Sequence, residues 1–335
     1  MKFDYVKKLM LAGALLALPT AAWAETVIRF SYELPVTHEF HQASQMVAKE
    51  VAEKTNGSVK IELYPAGQLT KDSTFPREIT SGTVDGGLSP TLYWTGVMPI
   101  AGIFDVPYLV QTHDEAQKIL KTEVGQKLLD GLADFNAVGL GYFNYGFGIF
   151  GTTKFPLLTP DDFKGKKFRT NNDMGASLLK AYGASPTFMS GSEVFLGLQQ
   201  GTVDGSHVGL TSVVSRKLYE VLKYLTVDNH NMIPYMVVLR KDVYEKLTPE
   251  EQTILREAVV KAGDWVAGMQ KAADDKAIEE LRGHGVQVDV LTPEQLQVWA
   301  AAAKPVADAW VGRVGEEGKK LINSIDSTLG RTPAN

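Results

Sequence analysis

Cysteine is absent from all 335 residues. This removes disulfide staples, thiol catalysis and thiolate metal centres from consideration. The lack does not threaten folding, because a chain of this length buries a large apolar fraction without cross-links. Long apolar runs are nearly as scarce: beyond residue 24, no stretch approaches the ~18 consecutive apolar residues of a membrane span. Basic clusters are missing as well. The 34 Lys and Arg stand against 39 Asp and Glu, a formal charge of -5, which argues against nucleic acid or an anionic membrane as partner. There is no Gly-x-Ser-x-Gly elbow, phosphate loop or dinucleotide fingerprint.

The near misses resolve the same way. His38-Glu39-Phe40-His41 lacks the His-Glu-x-x-His spacing of a zinc protease helix and reads as the surface N-terminus of a helix. Asp161-Asp162 follow Thr159-Pro160 and fit a helix's first turn, where the dipole favours acids. Gly141 to Gly151 is glycine-rich, but Gly146-Phe147-Gly148 with Gly151 does not have the spacing of a phosphate cradle. We read it as hinge or crossing chain near a cleft. No metal or cofactor is expected, and no catalytic constellation is found.

What is present begins with the leader. Lys2, Lys7 and Lys8 precede the apolar run Leu9 to Leu18, and Ala22-Trp23-Ala24 gives the small-x-small pattern of a cleavage site. Residues 1–24 are therefore expected to be a signal peptide, with the mature chain starting at Glu25 in the periplasm. The mature length suggests two domains. Within it, Ile79-Thr80-Ser81-Gly82-Thr83-Val84-Asp85-Gly86 matches Leu198-Gln199-Gln200-Gly201-Thr202-Val203-Asp204-Gly205 at six of eight positions, counting Ile and Leu alike. Each copy reads as a helix ended by a left-handed glycine and followed at once by a short strand.

The periodicity supports α/β lobes. Val27 to Tyr32 and Val59 to Tyr64 read as strands. Between them Ala43, Met46, Val47 and Val51 recur at helical spacing, and Asn56-Gly57 stops that helix. Ligands of such parallel units bind outside the carboxyl ends of the strands. Thr248-Pro249-Glu250-Glu251 is a strong helix start, and the apolar stripe runs from there to about Gly283. A helix of roughly 35 residues spans ~50 Å, enough to brace both lobes. Thr292-Pro293-Glu294 repeats the start signal for a terminal helical segment.

Several segments carry a resemblance. Gly165-Lys166-Lys167-Phe168-Arg169, Gly183-Ala184-Ser185-Pro186-Thr187, Ser192 to Gly201 and Val203-Asp204-Gly205 occur in the order found in substrate-binding proteins of TRAP transporters, the tripartite ATP-independent periplasmic systems. Tyr64-Pro65-Ala66-Gly67-Gln68-Leu69 and Phe104-Asp105-Val106-Pro107-Tyr108 match further segments. The chain thus resembles the DctP-like receptors over nearly its whole mature length. That implies a two-lobed periplasmic binding fold, with hinge strands and a long helix bracing both lobes. On this pattern lobe I takes 25–146 plus about 234–273, and lobe II 147–233 plus about 274–335. It also implies a monomer delivering a small organic acid to the small and large permease subunits. A membrane sensor partner is the rival role.

The resemblance makes Arg169 the carboxylate anchor, and a guanidinium offers the bidentate fork that a carboxylate matches. Three departures stand out: no second arginine near Gly148-Ile149, Val208 where relatives carry an amide, and Gly191 where many carry an aromatic. One arginine is therefore expected to hold the acid, in a wider and less polar pocket. The favoured solute is a hydroxy, keto or aromatic monocarboxylate, with a zwitterionic or amine-bearing solute as the alternative. Glu33 is expected to accept hydrogen bonds from the solute, and Tyr93 and Trp94 to cover its body. Asn172, Phe147, Met189 and His207 complete the candidate site.

Overall fold

The computed structural model describes residues 25–332; the expected signal peptide lies outside them. Nine strands form one sheet: β1 (Thr26–Ser31), β2 (Val59–Tyr64), β3 (Gly86–Pro90), β4 (Ala137–Thr152), β5 (Lys167–Thr170), β6 (Ser185–Phe188), β7 (Gly205–Gly209), β8 (Tyr224–Arg240) and β9 (Gln287–Val290). Their order is β2-β1-β3-β8-β4-β7-β5-β6, with β9 added to β8. The expected strands at 27–32 and 59–64 are β1 and β2, and the intervening helix runs Glu39–Lys54. Asn56 and Gly57, at φ 51° and 81°, end that helix.

Two long strands join the halves. β8 pairs with β3 through Gly86↔Leu239 to Pro90↔Tyr235, while its first residues pair with β9. β4 pairs with β8 along nearly its whole length, and its second part, from Gly148, also pairs with β7. The glycine-rich segment read as crossing chain is therefore β4. Its register against β8 shifts between Asn144 and Phe147, where Gly146 takes φ +98°, a conformation that only glycine adopts cheaply. The sequence-based division at 146/147 and 233/234 falls beside this shift.

The two echoed segments build the same corner twice. Gly82 and Gly201 take φ +81° and +69°, and β3 and β7 follow them. Asp85 accepts the Arg29 amide of β1 at 3.1 Å, and Asp204 accepts the Lys167 amide of β5 at 2.8 Å. In each half a carboxylate thus braces a backbone amide of the neighbouring parallel strand.

The long helix runs Pro249–Gly283, 35 residues, opened by a Thr248–Glu251 capping box. Its first turns bury Leu255, Val259 and Val266 against Ile28, Phe40 and Val237 of the first half. Its last turns bury Ala277 and Leu281 against Leu222, Leu225 and Val288 of the second. Each fully buried aliphatic side chain contributes roughly 1.5–3 kcal/mol, so the helix anchors on both cores. The helix Pro293–Val314 follows its own Thr292 capping box. Trp299 and Trp310 carry it onto a third core with Phe104, Phe163 and Tyr182. Asp161 and Asp162 sit in the first turn of a short 3-10 helix capped by Thr159.

Candidate functional site

β5 alternates its side chains. Phe168 is fully buried in the core, and Arg169, one residue on, turns to the carboxyl end of the sheet. There the halves close on a cavity holding about 540 Å³ of space free of protein atoms, part of it open to solvent. Lobe I contributes Leu34, Asp72, Leu92 and Tyr93, and the crossing strands contribute Tyr145, Ile233 and Tyr235. Lobe II contributes Arg169, Asn171, His207, Val208, Ser212 and Arg216.

Arg169 is 5% exposed. It donates Nε to the Met189 carbonyl and Nη1 to the His207 carbonyl, each at 2.9 Å. Among the described residues no carboxylate lies within ion-pair distance, and no acceptor engages Nη2. Burial lowers its pKa, against the pull of Tyr93 and Glu33. A guanidinium held by two fixed carbonyls, with a free edge toward the cavity, is pre-set for a planar anion.

A second arginine lines the cavity, where the sequence reading expects one. Arg216 follows the short helix Leu210–Ser215, and its Nη2 donates to the Glu33 carbonyl at 3.3 Å. A side chain on Gly191 would stand 3.4 Å from that Nη2 and 3.3 Å from Glu33 Oε1. The missing aromatic thus leaves the space that Arg216 enters.

Glu33 is at the cleft but faces the protein. Its carboxylate accepts the Asp72 amide at 2.9 Å and, from the other lobe, the Ser192 amide at 2.7 Å. Thr37 donates across to the Ser215 carbonyl at 3.0 Å, and Lys71 pairs with Glu193 at 3.0 Å. Glu33 is therefore a latch between the lobes, and Asp72 is the acid that faces the cavity. Asp72 Oδ2 accepts from the Tyr235 hydroxyl at 3.1 Å. Burial, then the neighbouring Glu33, push its carboxyl up to about 8.

The remaining candidates divide. Tyr93, His207 and Val208 line the cavity, and burial raises the Tyr93 hydroxyl pKa well above its ordinary value. Trp94 does not reach the cavity: it is fully buried, with its indole N–H donated to Ser89 at 2.9 Å and its ring edge-on to Phe135. Phe147 is in the core beside His113. Asn172 caps the helix Asp173–Ala181 and donates to Asp105 at 3.0 Å. Met189 enters only through its carbonyl. His38 is not a surface residue; it caps its helix from a buried position, stacked on Tyr145 at 5.5 Å, and burial lowers its pKa to about 3.

Asp72, Tyr145, Tyr235, Asn171, Ser212 and Arg216 were not singled out from sequence. Asp72 carried the one available signal, lying just beyond the Tyr64 to Leu69 segment. Among the described residues, no helix is long and apolar enough to cross a membrane.

Residues 30–312 match the family model of the bacterial extracellular solute-binding proteins, family 7, DctP. The C4-dicarboxylate-binding periplasmic protein DctP of Rhodobacter capsulatus is 33% identical over 90% of this chain and 92% of its own length. The 2,3-diketo-L-gulonate-binding periplasmic protein of Escherichia coli is 29% identical over 97% of this chain and 99% of its own. A TRAP periplasmic solute-binding protein of Desulfovibrio salexigens, solved with orotic acid, superposes with a TM-score of 0.86 at 26% identity, covering 91% of this chain and 99% of that one. Such proteins bind small organic acids and work with membrane permease components. With its two α/β halves closing on a pair of arginines, the chain belongs to family 7 of the bacterial extracellular solute-binding proteins, the receptors of TRAP transporters.

Proposed function

We propose that this chain is an exported, monomeric receptor that captures one small organic acid in the interlobe cavity. It releases the solute unchanged to the small and large subunits of an ion-gradient-driven permease. The observation that carries the reading is Arg169, a buried guanidinium with no carboxylate partner among the described residues. An uncompensated buried charge costs several kcal/mol, and a solute carboxylate supplies the missing partner. The relatives named above are described with acids as their ligands.

The cavity narrows the class. Asp72 faces it from lobe I, and as a carboxylic acid it can donate to a hydroxyl or keto oxygen. Tyr93, Tyr145 and Tyr235 offer rings to an aliphatic or aromatic body. The favoured solute is thus a hydroxy, keto or aromatic monocarboxylate. A thermal-shift screen, confirmed by calorimetry, tests it with such monoacids, dicarboxylates and amino acids. Monoacids should raise the melting temperature with concentration. Tenfold tighter binding of a dicarboxylate or an amino acid would overturn the monoacid assignment, and silence from every acid would overturn the acid receptor itself.

A further inference from the structure

Beneath Arg169, at the crossing of β4, β7 and β8, three buried polar atoms find no protein partner: His207 Nε2, His230 Nε2 and Asn231 Oδ1. Their residues are 2%, 2% and 4% exposed. All three atoms lie within 2.9 Å of the point that a Cβ on Gly148 would occupy, so glycine there leaves a niche onto which they converge. Buried polar groups are normally satisfied, and three orphans around one point call for a shared occupant.

The atoms behind the niche say what kind. His230 Nδ1 bonds the Asp228 carboxylate at 2.9 Å, which fixes the tautomer and turns the Nε2 lone pair inward. Asn231 Nδ2 donates to Asp105 at 2.8 Å, which aims Oδ1 inward. Asp105 and Asp228 are 4% and 1% exposed, and no Lys or Arg among the described residues pairs with either. Asp105 is met by two amides, and Asp228 by Tyr108 and His230. Two buried carboxylates, each one bond behind an inward-facing donor, hold those donors in place.

We propose that His207, His230 and Asn231 form a buried hinge site for one divalent transition ion, with two imidazole nitrogens and one amide oxygen as ligands and Asp228 and Asp105 orienting them. An N,N,O set of neutral ligands suits zinc or cobalt. The ion would tie β7 to β8 under the anchor, since the His207 carbonyl holds Arg169 Nη1. The proposal is independent of the solute reading. The sequence hides it, because no short-range metal spacing joins 207 to 230 and 231.

The full mature protein, stripped with chelator and desalted, is titrated with zinc by calorimetry and with cobalt by visible absorption. Expected are one ion per chain, a tetrahedral cobalt spectrum, a raised melting temperature, and at least a 100-fold weaker affinity in His230→Gln. His41→Gln, whose histidine is already bonded to Tyr32, should keep the ion. Should His230→Gln fail to fold by circular dichroism, His207→Gln and the wild-type stoichiometry decide. Either an octahedral cobalt spectrum or an ion retained in the folded histidine variant overturns the site. Absence of zinc and cobalt binding overturns it too, and assigns the niche to an ordered water making three hydrogen bonds.

Discussion

The two halves are one scaffold built twice and given opposite chemistry. In the first, β2-β1-β3 packs onto β8; in the second, β6-β5-β7 packs onto β4. The registers correspond: Phe30↔Gly86 and Ser31↔Gly87 in one, Phe168↔Gly205 and Arg169↔Ser206 in the other. Asp85 and Asp204 brace the neighbouring strand alike. Yet where lobe II carries Arg169, lobe I carries Ser31, a buried hydroxyl without a partner. Lobe I brings acceptors, Glu33 and Asp72, and lobe II brings donors, Arg169, Arg216 and the Ser192 amide. Two equivalent strand ends therefore carry different chemistry, and the proposed recognition rests on that difference.

The largest effect expected is at that difference. Arg169→Ala should weaken acid binding by ~30-fold or more, about 2 kcal/mol, the usual cost of leaving a buried charge unpaired. Arg169→Lys should fall between, keeping the charge but losing the fork. Calorimetry against the best acid of the screen measures both, and wild-type affinity in Arg169→Ala would refute the anchor. Next comes the latch. Glu33→Gln places an amide donor where a second acceptor is needed, and each charged hydrogen bond contributes about 1.5–3 kcal/mol. Affinity should fall roughly tenfold. Small-angle scattering should show a larger radius of gyration with the solute present; an unchanged radius would mean the latch is not holding the lobes.

How much of this was legible in the sequence follows from which forces are local. The helix 249–283 announced itself, because its cap and apolar stripe are properties of consecutive residues. The paired corners at Gly82 and Gly201 were legible because a left-handed glycine and a bracing aspartate recur at one spacing. Arg169 was legible through its motif. Arg216 was not: it reaches the cavity only because Gly191, on a distant turn, has no side chain. Trp94 misled because a Ser89 hydroxyl happened to lie within reach and drew the indole into the core. Glu33 was expected to meet the solute, but its carboxylate is taken by two amides, from residues 72 and 192, far apart in the chain.

The bracing aspartates give a smaller test of equivalence. Asp85 also pairs with the Arg29 and Arg240 side chains, at 2.8 and 3.2 Å. Arg29 is 45% exposed, so solvent screens most of that pair. Asp85→Ala should cost about 1–2 kcal/mol and Asp204→Ala about 0.5–1, each mainly for the stranded amide. Urea unfolding measures both. A larger loss at Asp204 would show that the two corners are not equivalent.

The smallest effect separates the two acids of lobe I. Glu33 is satisfied by two amides, whereas Asp72 is buried beside it with its carboxyl raised from 3.8 to about 8. Folded Asp72 therefore holds a proton that the unfolded chain releases near pH 4. Below that pH both states are protonated and the residue has no effect; as pH rises toward 8 the folded state is progressively disfavoured. Asp72→Asn keeps an acceptor for the Tyr235 hydroxyl and removes the titration. The variant should melt close to wild type at pH 5 and a few degrees higher at pH 8.5. Parallel melting curves across that window would mean that Asp72 is ionised in the folded protein. The cavity would then present a carboxylate rather than a carboxylic acid to the solute, and amino acids would become the better-matched class.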